Sequence, residues 1–186
     1  MYHVVLEIIH GAGQSVDDIS ARYFQGFHSH LPIISRIYFC HNIATSKTAP
    51  RADLSILLLT ICLITQAPAL EYRSGQGVAQ AVVERQSLYL AVRSLFAQVQ
   101  VACPPSVPLI QAGILLAVYE YLHSRPDDAF ATLAGSTRLA YTARIYTGTP
   151  YRTKMTPAFG QNAETEFLLE AEEAANTWWG LVICER

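Results

Sequence analysis

The chain has 186 residues, of which 51% are hydrophobic and 15% are charged, and its formal net charge is −2. This composition excludes a disordered tail, because disordered segments combine low hydrophobicity with high charge. The Lys and Arg residues are scattered and form no basic stripe, so the sequence offers no electrostatic footprint for nucleic acid. One domain with a sizeable core is predicted.

Helical patterns dominate the chain, and the prediction is an all-α, irregular bundle of about six to seven helices joined by short turns. Residues 1–14 are predicted to be a poorly defined N-terminal extension. The clearest helices are predicted at about 15–30, 52–66, 78–102, 106–122, 126–143 and 164–186. The segment "IISRIYFCHNI" between the first two is predicted to be irregular or a short helix.

Helix starts and buried runs support these assignments. Ser15 and Ser106 are expected to cap the helices that follow them. The apolar run "LSILLLTICLIT" covers 54–65, which is too short to cross a bilayer. It fits a helix that is buried on all sides.

The cysteines offer no metal site. Cys40, Cys62, Cys103 and Cys184 lack the close spacing that zinc sites and redox motifs use. They are predicted to be inert core thiols in a reducing compartment. No cofactor and no metal are therefore expected in this chain.

A histidine pair is the other candidate for metal binding. His28 and His30 lie two residues apart, so on a helix they would not share a face. A third ligand would have to come from His41 or Asp53. A solvated or hydrogen-bonded helix end is the preferred interpretation.

Two acidic clusters are interpreted as helix-terminal charge. Asp127 and Asp128 lack the further carboxylate one turn on that would help hold Mg²⁺. They are predicted to interact with the positive end of a helix dipole. The same solvated interpretation is given to five glutamates, namely Glu164, Glu166, Glu170, Glu172 and Glu173.

No catalytic signature is present in the sequence. The "SGQG" at 74–77 is too short for a phosphate loop and has no Lys-Ser/Thr after it, and no Gly-x-Ser-x-Gly occurs. The chain is predicted not to be an enzyme and to have no catalytic residues.

The adjacent tryptophans raise a separate question. Neighbouring helix positions point about 100° apart, so Trp178 and Trp179 face different surroundings. Core packing is the default, and an aromatic ligand cage is the alternative. Part of the surface around Trp178, Trp179, Val182 and Ile183 is expected to be exposed.

Four segments occur in an order that is informative as a whole. The first is "YFQGFHSHLPIISRIYF", the second is "DLSILLLTICLIT", the third begins "SVPLIQAGILLAVYEYL", and the fourth is "EEAANTWWGLVICER". Their shared motif residues are Tyr23, Phe24, Phe27, His28, Leu31, Pro32, Ile33, Arg36, Phe39, Gln111, Tyr119, Glu120, Arg138, Trp178, Trp179, Glu185 and Arg186. Together these segments resemble the N-terminal half of the middle homology region of fungal zinc-cluster transcription factors.

The resemblance covers about 19–186 and departs from the family at two positions. Asn176 stands where the family usually has Arg, and Glu185 stands where it usually has Asp. The motif residues are implied to be mainly structural. Residues 15–186 are expected to form a partial, truncated regulatory domain.

The resemblance also implies a role. The chain is expected to regulate transcription in the nucleus by responding to a protein partner, the rest of the domain or a small-molecule effector. Zinc and DNA contact would belong to a six-cysteine module outside these residues, and no membrane partner is expected. Two alternatives stay open: a non-functional remnant, and a small-molecule-binding or enzymatic bundle whose pocket is lined by the tryptophans with Tyr119, Tyr121 and Tyr141.

Overall fold

The computed structural model describes residues 1–44, 50–66, 75–147 and 161–186, with side chains described except at 44, 75–83, 147 and 161–166. These ranges contain eight α-helices, two 3₁₀ turns at Phe27–Ser29 and Ile145–Thr147, and no strand. The helices are α1 (Tyr2–Gly11), α2 (Val16–Gln25), α3 (Arg36–Ala44), α4 (Ala52–Ile64), α5 (Gly75–Ala102), α6 (Val107–Leu122), α7 (Pro126–Ala143) and α8 (Gln161–Cys184).

The all-α class is confirmed, and the helix count in the described residues exceeds the predicted six to seven. One additional helix is α1, which lies in the segment predicted to be a poorly defined extension. Val5 and Ile9 of α1 are fully buried, and the helix packs on α4. The other is α3, where the short-helix alternative for "IISRIYFCHNI" is correct.

The core is organised around α4 and α6. α4 is buried continuously from Asp53 to Leu63, as its uniformly apolar run predicts. α6 is buried along most of its length and lies beside α4, α5, α7 and α8. None of the helices within the described ranges has the length and hydropathy to cross a membrane.

The two predicted helix caps have different outcomes. The Asp18 amide donates a 3.1 Å hydrogen bond to Ser15 Oγ, so the cap of α2 is confirmed. Ser106 occupies the N-cap position of α6, but its side chain makes no cap hydrogen bond. The Ser106 hydroxyl instead donates to Asp53 Oδ2 at 2.7 Å, because the start of α4 presents a buried carboxylate beside it.

Two glycines allow close packing between elements. A methyl group at Gly113 of α6 would overlap Ser136 Oγ of α7 and approach the Phe96 ring to 3.1 Å. A methyl group at Gly180 of α8 would overlap the side chain of Ile33. The hairpin of α6 and α7, and the docking of α8 on the segment before α3, therefore both depend on a missing side chain.

Candidate functional site

A cavity of about 280 Å³ lies where α3, α4, α6 and α8 meet the end of α7. Its volume is near the lower end of ligand pockets in proteins, so it suits a small molecule. Its apolar lining comes from Leu54, Pro105, Val107, Pro108, Ala143, Ile145 and Ala174. Its polar lining comes from Tyr38, Asn42, Arg51, Asp53, Ser106, Glu170 and Glu173.

Glu173 is the buried carboxyl group of this cavity. Its side chain is only 4% exposed, and its Oε1 accepts hydrogen bonds from the Ser35 amide at 3.2 Å and from Gln111 Nε2 at 3.1 Å. Burial raises the pKa of Glu173 to about 7, although these two hydrogen bonds favour the ionised form. The group can therefore exchange a proton near neutral pH.

Gln111 connects three parts of the chain around this carboxyl. Its Nε2 lies 2.7 Å from the Ile33 carbonyl oxygen and 3.1 Å from both Glu173 Oε1 and Thr177 Oγ1. The Thr177 hydroxyl donates to the Glu173 carbonyl at 2.8 Å. The segment before α3, the middle of α6 and the middle of α8 thus share one buried polar network, which we call the Glu173 network.

Asp53 fixes the opposite side of the cavity. It is 3% exposed and accepts hydrogen bonds from Arg51 Nη2 and Ser106 Oγ, both at 2.7 Å. Its other oxygen accepts from the Leu54 amide at 2.9 Å. This carboxylate therefore holds the start of α6 against the start of α4.

A second buried carboxyl lies outside the cavity. Glu120 of α6 is fully buried, and its Oε1 accepts from Tyr89 Oη at 3.0 Å and from Arg93 Nη1 at 2.6 Å. Arg93 also lies 3.6 Å from Asp128, at the start of α7 as predicted. This group joins α5, α6 and α7, and the Arg93 guanidinium supplies the charged partner that a buried carboxylate needs.

The first family segment forms an aromatic cluster. Tyr23 is fully buried, and ring centroids are 5.1–6.0 Å apart within the cluster of Tyr23, Phe24, Phe27, His28 and Phe39. Arg36 lies over the Phe24 ring at 5.8 Å. Leu31 is buried and Pro32 is exposed, and the residues that follow supply the Ile33 carbonyl and the Ser35 amide of the Glu173 network.

The histidine pair has its own local contacts. His30 Nδ1 lies 3.2 Å from Ser29 Oγ, and His28 packs its ring on Tyr23 and Phe24. Asp53, the suggested third ligand, is held by Arg51 and Ser106. Among the described residues, no group of three potential metal ligands occurs.

The glutamates of α8 require a correction. Glu172 is exposed and Glu170 is half-buried, but the solvated interpretation is wrong for Glu173. α8 begins at Gln161, so Glu173 lies in its middle and on the face that also carries Thr177 and Gly180. Their spacing of four and three residues, which places them on one face of a helix, is the feature of the sequence that could have indicated the burial of Glu173. The side chains of Glu164 and Glu166 lie outside the described residues.

The exposure predicted for the tryptophan region is confirmed. Trp179 is 62% exposed and Ile183 is 64% exposed. Trp178 is half-buried, with its ring 5.5 Å from Tyr141 and 5.9 Å from Tyr146. We call the surface formed by Trp179 and Ile183 the α8 apolar surface.

The aromatic residues of the alternative interpretation have different surroundings in the described structure: Trp178 packs on Tyr141, and the two other tyrosines do not share this contact. Tyr119 is buried and stacks on Tyr89 and His123, whereas Tyr121 is 71% exposed. The cavity described above has a different lining.

The remaining motif residues lie at the surface. Arg138 and Arg186 are exposed, and Glu185 accepts a 2.6 Å hydrogen bond from Thr137 of α7. Asn176 is exposed as well. Neither departure from the family pattern therefore reaches the Glu173 network.

The cysteines divide by burial. Cys62 is buried, and burial raises its pKa to about 11, as an inert core thiol requires. Cys103 and Cys184 are half-buried, and burial raises the pKa of Cys184. Cys40 is exposed, so the prediction of a core thiol is wrong there, because α3 presents it to solvent.

A known protein family matches the part of the chain that contains these features. The model of the fungal specific transcription factor domain matches residues 21–185, from α2 to the end of α8. The chain belongs to this family. This family is a transcription factor domain and not a class of enzymes. The matched residues include those that line the cavity and those of the α8 apolar surface.

One curated relative agrees with the family. Transcription factor BOA15 of Botryotinia fuckeliana is 30% identical to the chain over 109 residues, which are 59% of this chain and 55% of that protein. The chain thus spans about half the length of this relative. No solved structure matches it significantly.

Proposed function

We propose that this fungal specific transcription factor domain senses an effector in the cavity beside Glu173 and thereby regulates transcription in the nucleus. DNA contact and zinc binding are assigned to a module outside these 186 residues, and the chain itself uses no cofactor. Family membership supports the regulatory role.

The observation that carries the proposal is the position of Glu173. This carboxyl lines the cavity and also accepts hydrogen bonds from Ser35 and Gln111. An occupant that reaches Glu173 therefore touches the network that holds α8 against two other parts of the fold. Occupancy can then change how α8 is held.

α8 also provides the output surface in this proposal. Glu173 and Ile183 lie ten residues apart on one helix, which is about 15 Å at 1.5 Å per residue. The α8 apolar surface is the proposed contact for a protein partner or for another part of the regulator. A rigid helix transmits a displacement along its length without needing a further element.

A reporter assay with a cavity-blocking variant tests the proposal. The chain is fused to a heterologous DNA-binding module and an activation segment in a fungal reporter strain. Val107 lines the cavity, so Val107→Phe fills it, whereas Val101→Phe adds the same ring at a position that is 91% exposed.

The wild-type chain is expected to change reporter output relative to the fused module alone. Val107→Phe is expected to alter that effect, and Val101→Phe is expected to preserve it. Equal output with and without the chain contradicts a regulatory role. An unchanged effect of folded Val107→Phe contradicts the role of the cavity.

A further inference from the structure

The charges around the cavity favour a cation. The described lining contains one guanidinium, Arg51, and three carboxyl groups, Asp53, Glu170 and Glu173. Arg51 is already paired with Asp53 at 2.7 Å. An anionic ligand would have to approach the Glu173 carboxyl group, whose ionised form repels it.

The geometry of Glu173 provides a specific contact for that cation. The hydrogen bonds from the Ser35 amide and from Gln111 Nε2 both end on Oε1. The other oxygen, Oε2, belongs to the same 96%-buried carboxyl group, which lines the cavity, and accepts neither of these two hydrogen bonds. A donor that carries positive charge gives the stronger hydrogen bond.

The rest of the lining defines the body of the ligand. Leu54, Val107 and Ile145 supply aliphatic surface, and Tyr38 supplies a ring. A volume of about 280 Å³ admits a small apolar group and no large one. The lining thus pairs an apolar wall with one buried acidic contact.

We propose that the cavity binds a small primary amine with an apolar body, whose ammonium group donates to Glu173. This inference rests on the proposed function, in which the cavity holds the effector, and it adds the chemical class of that effector. The apolar body packs on Leu54, Val107 and Ile145.

Binding of the amine is coupled to proton release. The pKa of Glu173 is raised to about 7, so the carboxyl is mostly protonated in slightly acid solution. The ammonium ion stabilises the ionised carboxylate, and the Glu173 proton leaves to solvent. No covalent bond forms in this step.

The described charged groups around Glu173 do not supply the positive charge that the ammonium group would bring. Tyr23 of α2 and Tyr38 of α3 face it; burial is the main cause that raises the pKa of both phenols, and the charge of Glu173 raises the pKa of each further. Glu170 on α8 raises the pKa of Glu173 through like-charge repulsion. From α4, Arg51 and Asp53 line the same cavity as an ion pair.

Isothermal titration calorimetry with three matched probes tests the charge preference. The probes are 2-phenylethylamine, 2-phenylethanol and 3-phenylpropionate, which share a ring and differ in charge. The amine is expected to bind to the whole chain roughly tenfold or more tightly than the alcohol, and the acid is expected not to bind.

Two variants and the pH dependence locate the interaction. Glu173→Gln is expected to weaken amine binding roughly tenfold or more, and Glu172→Gln, on the exposed face, is expected to leave it unchanged. The affinity of wild-type protein is expected to rise roughly thirtyfold from about pH 5.5 to about pH 8, because the proton no longer has to be displaced. Titrations in two buffers of different ionisation enthalpy should report proton release at the lower pH.

The outcomes distinguish this inference from the proposed function. Binding of the alcohol or the acid as tightly as the amine overturns the inference, and so does binding of none of the three probes. Amine binding that Glu173→Gln leaves unchanged overturns it as well. None of these results changes the reporter comparison of Val107→Phe with Val101→Phe, which tests the role of the cavity itself.

Discussion

At the scale of single residues, Glu173 combines a proposed binding contact with a cost in stability. Burial raises its pKa to about 7, while an exposed carboxyl in the unfolded chain titrates near its ordinary value. Below that ordinary value both states are protonated. Between it and about pH 7 the unfolded state ionises first, so the free energy of unfolding falls as pH rises, and above about 7 it levels off.

Glu173→Gln should remove this pH dependence. The amide oxygen of Gln can still accept from Ser35 and Gln111, and Gln carries no ionisable group. The stability of the variant relative to wild type is expected to increase by about 2 kcal/mol between about pH 5 and pH 8.5, as measured by urea unfolding. Glu172→Gln is the control, and a difference between Glu173→Gln and wild type that stays constant with pH would contradict the buried carboxyl.

The sequence identifies the acidic run but not which of its members is buried. Glu172 and Glu173 are chemically identical neighbours, and a helix points them about 100° apart. Only the position of Gln111 and of the Ser35 amide selects Glu173, and these partners are 62 and 138 residues away in the chain. The cavity was not predicted for the same reason, since its lining comes from distant segments that meet only in the fold.

At the scale of elements, the hairpin of α6 and α7 is set by a close approach. Gly113 faces Ser136 with no room for a methyl group, and the Phe96 ring is also near. Interiors at crystal-like density cannot absorb extra atoms without shifting a neighbour. The close distance between these two helices therefore depends on the absence of a side chain at Gly113.

Gly113→Ala is expected to destabilise the chain by about 1–3 kcal/mol in thermal or urea unfolding, because the new methyl overlaps Ser136 Oγ. Adding Ser136→Ala should recover part of that loss, since it removes the overlapping oxygen. Gly135→Ala on α7 is the matched control, because the nearest atom to its new methyl is 4.0 Å away. It should stabilise the helix by about 0.5–1 kcal/mol. Destabilisation by Gly135→Ala as well would show that the effect is not a matter of local space.

The all-α fold class can be predicted from the sequence more readily than the number of helices. The uniformly apolar runs of α4 and α6 identify central helices, and both are buried. α1 and α3 are short, and their stability comes from packing rather than from intrinsic propensity. A helix that depends on its neighbours is difficult to recognise before those neighbours are placed.

At the scale of the whole molecule, the charge distribution bears on the proposal that this chain regulates while another module contacts DNA. The net charge is −2, and its scattered basic residues include Arg51 and Arg93, which are paired with carboxylates. Proteins that bind the DNA backbone need a basic face that releases counterions. The described surface provides the α8 apolar surface instead.

The purified chain is expected to show no site-selective binding in a mobility-shift titration at low salt, because its Lys and Arg residues are scattered along the sequence and form no basic stripe. A random-sequence duplex of equal length is the control. Tight binding that discriminates between the two duplexes would contradict the separation of roles.

The hydrogen bond between the Ser35 amide and Glu173 also bears on how the chain is made. Its two partners are 138 residues apart, so this hydrogen bond cannot form until nearly all of the described chain has been synthesised. At roughly 5–20 residues per second, that interval is about 7–28 s. The segment before α3 therefore emerges from the ribosome long before α8, and the cavity is completed only when the late helix docks onto the early one.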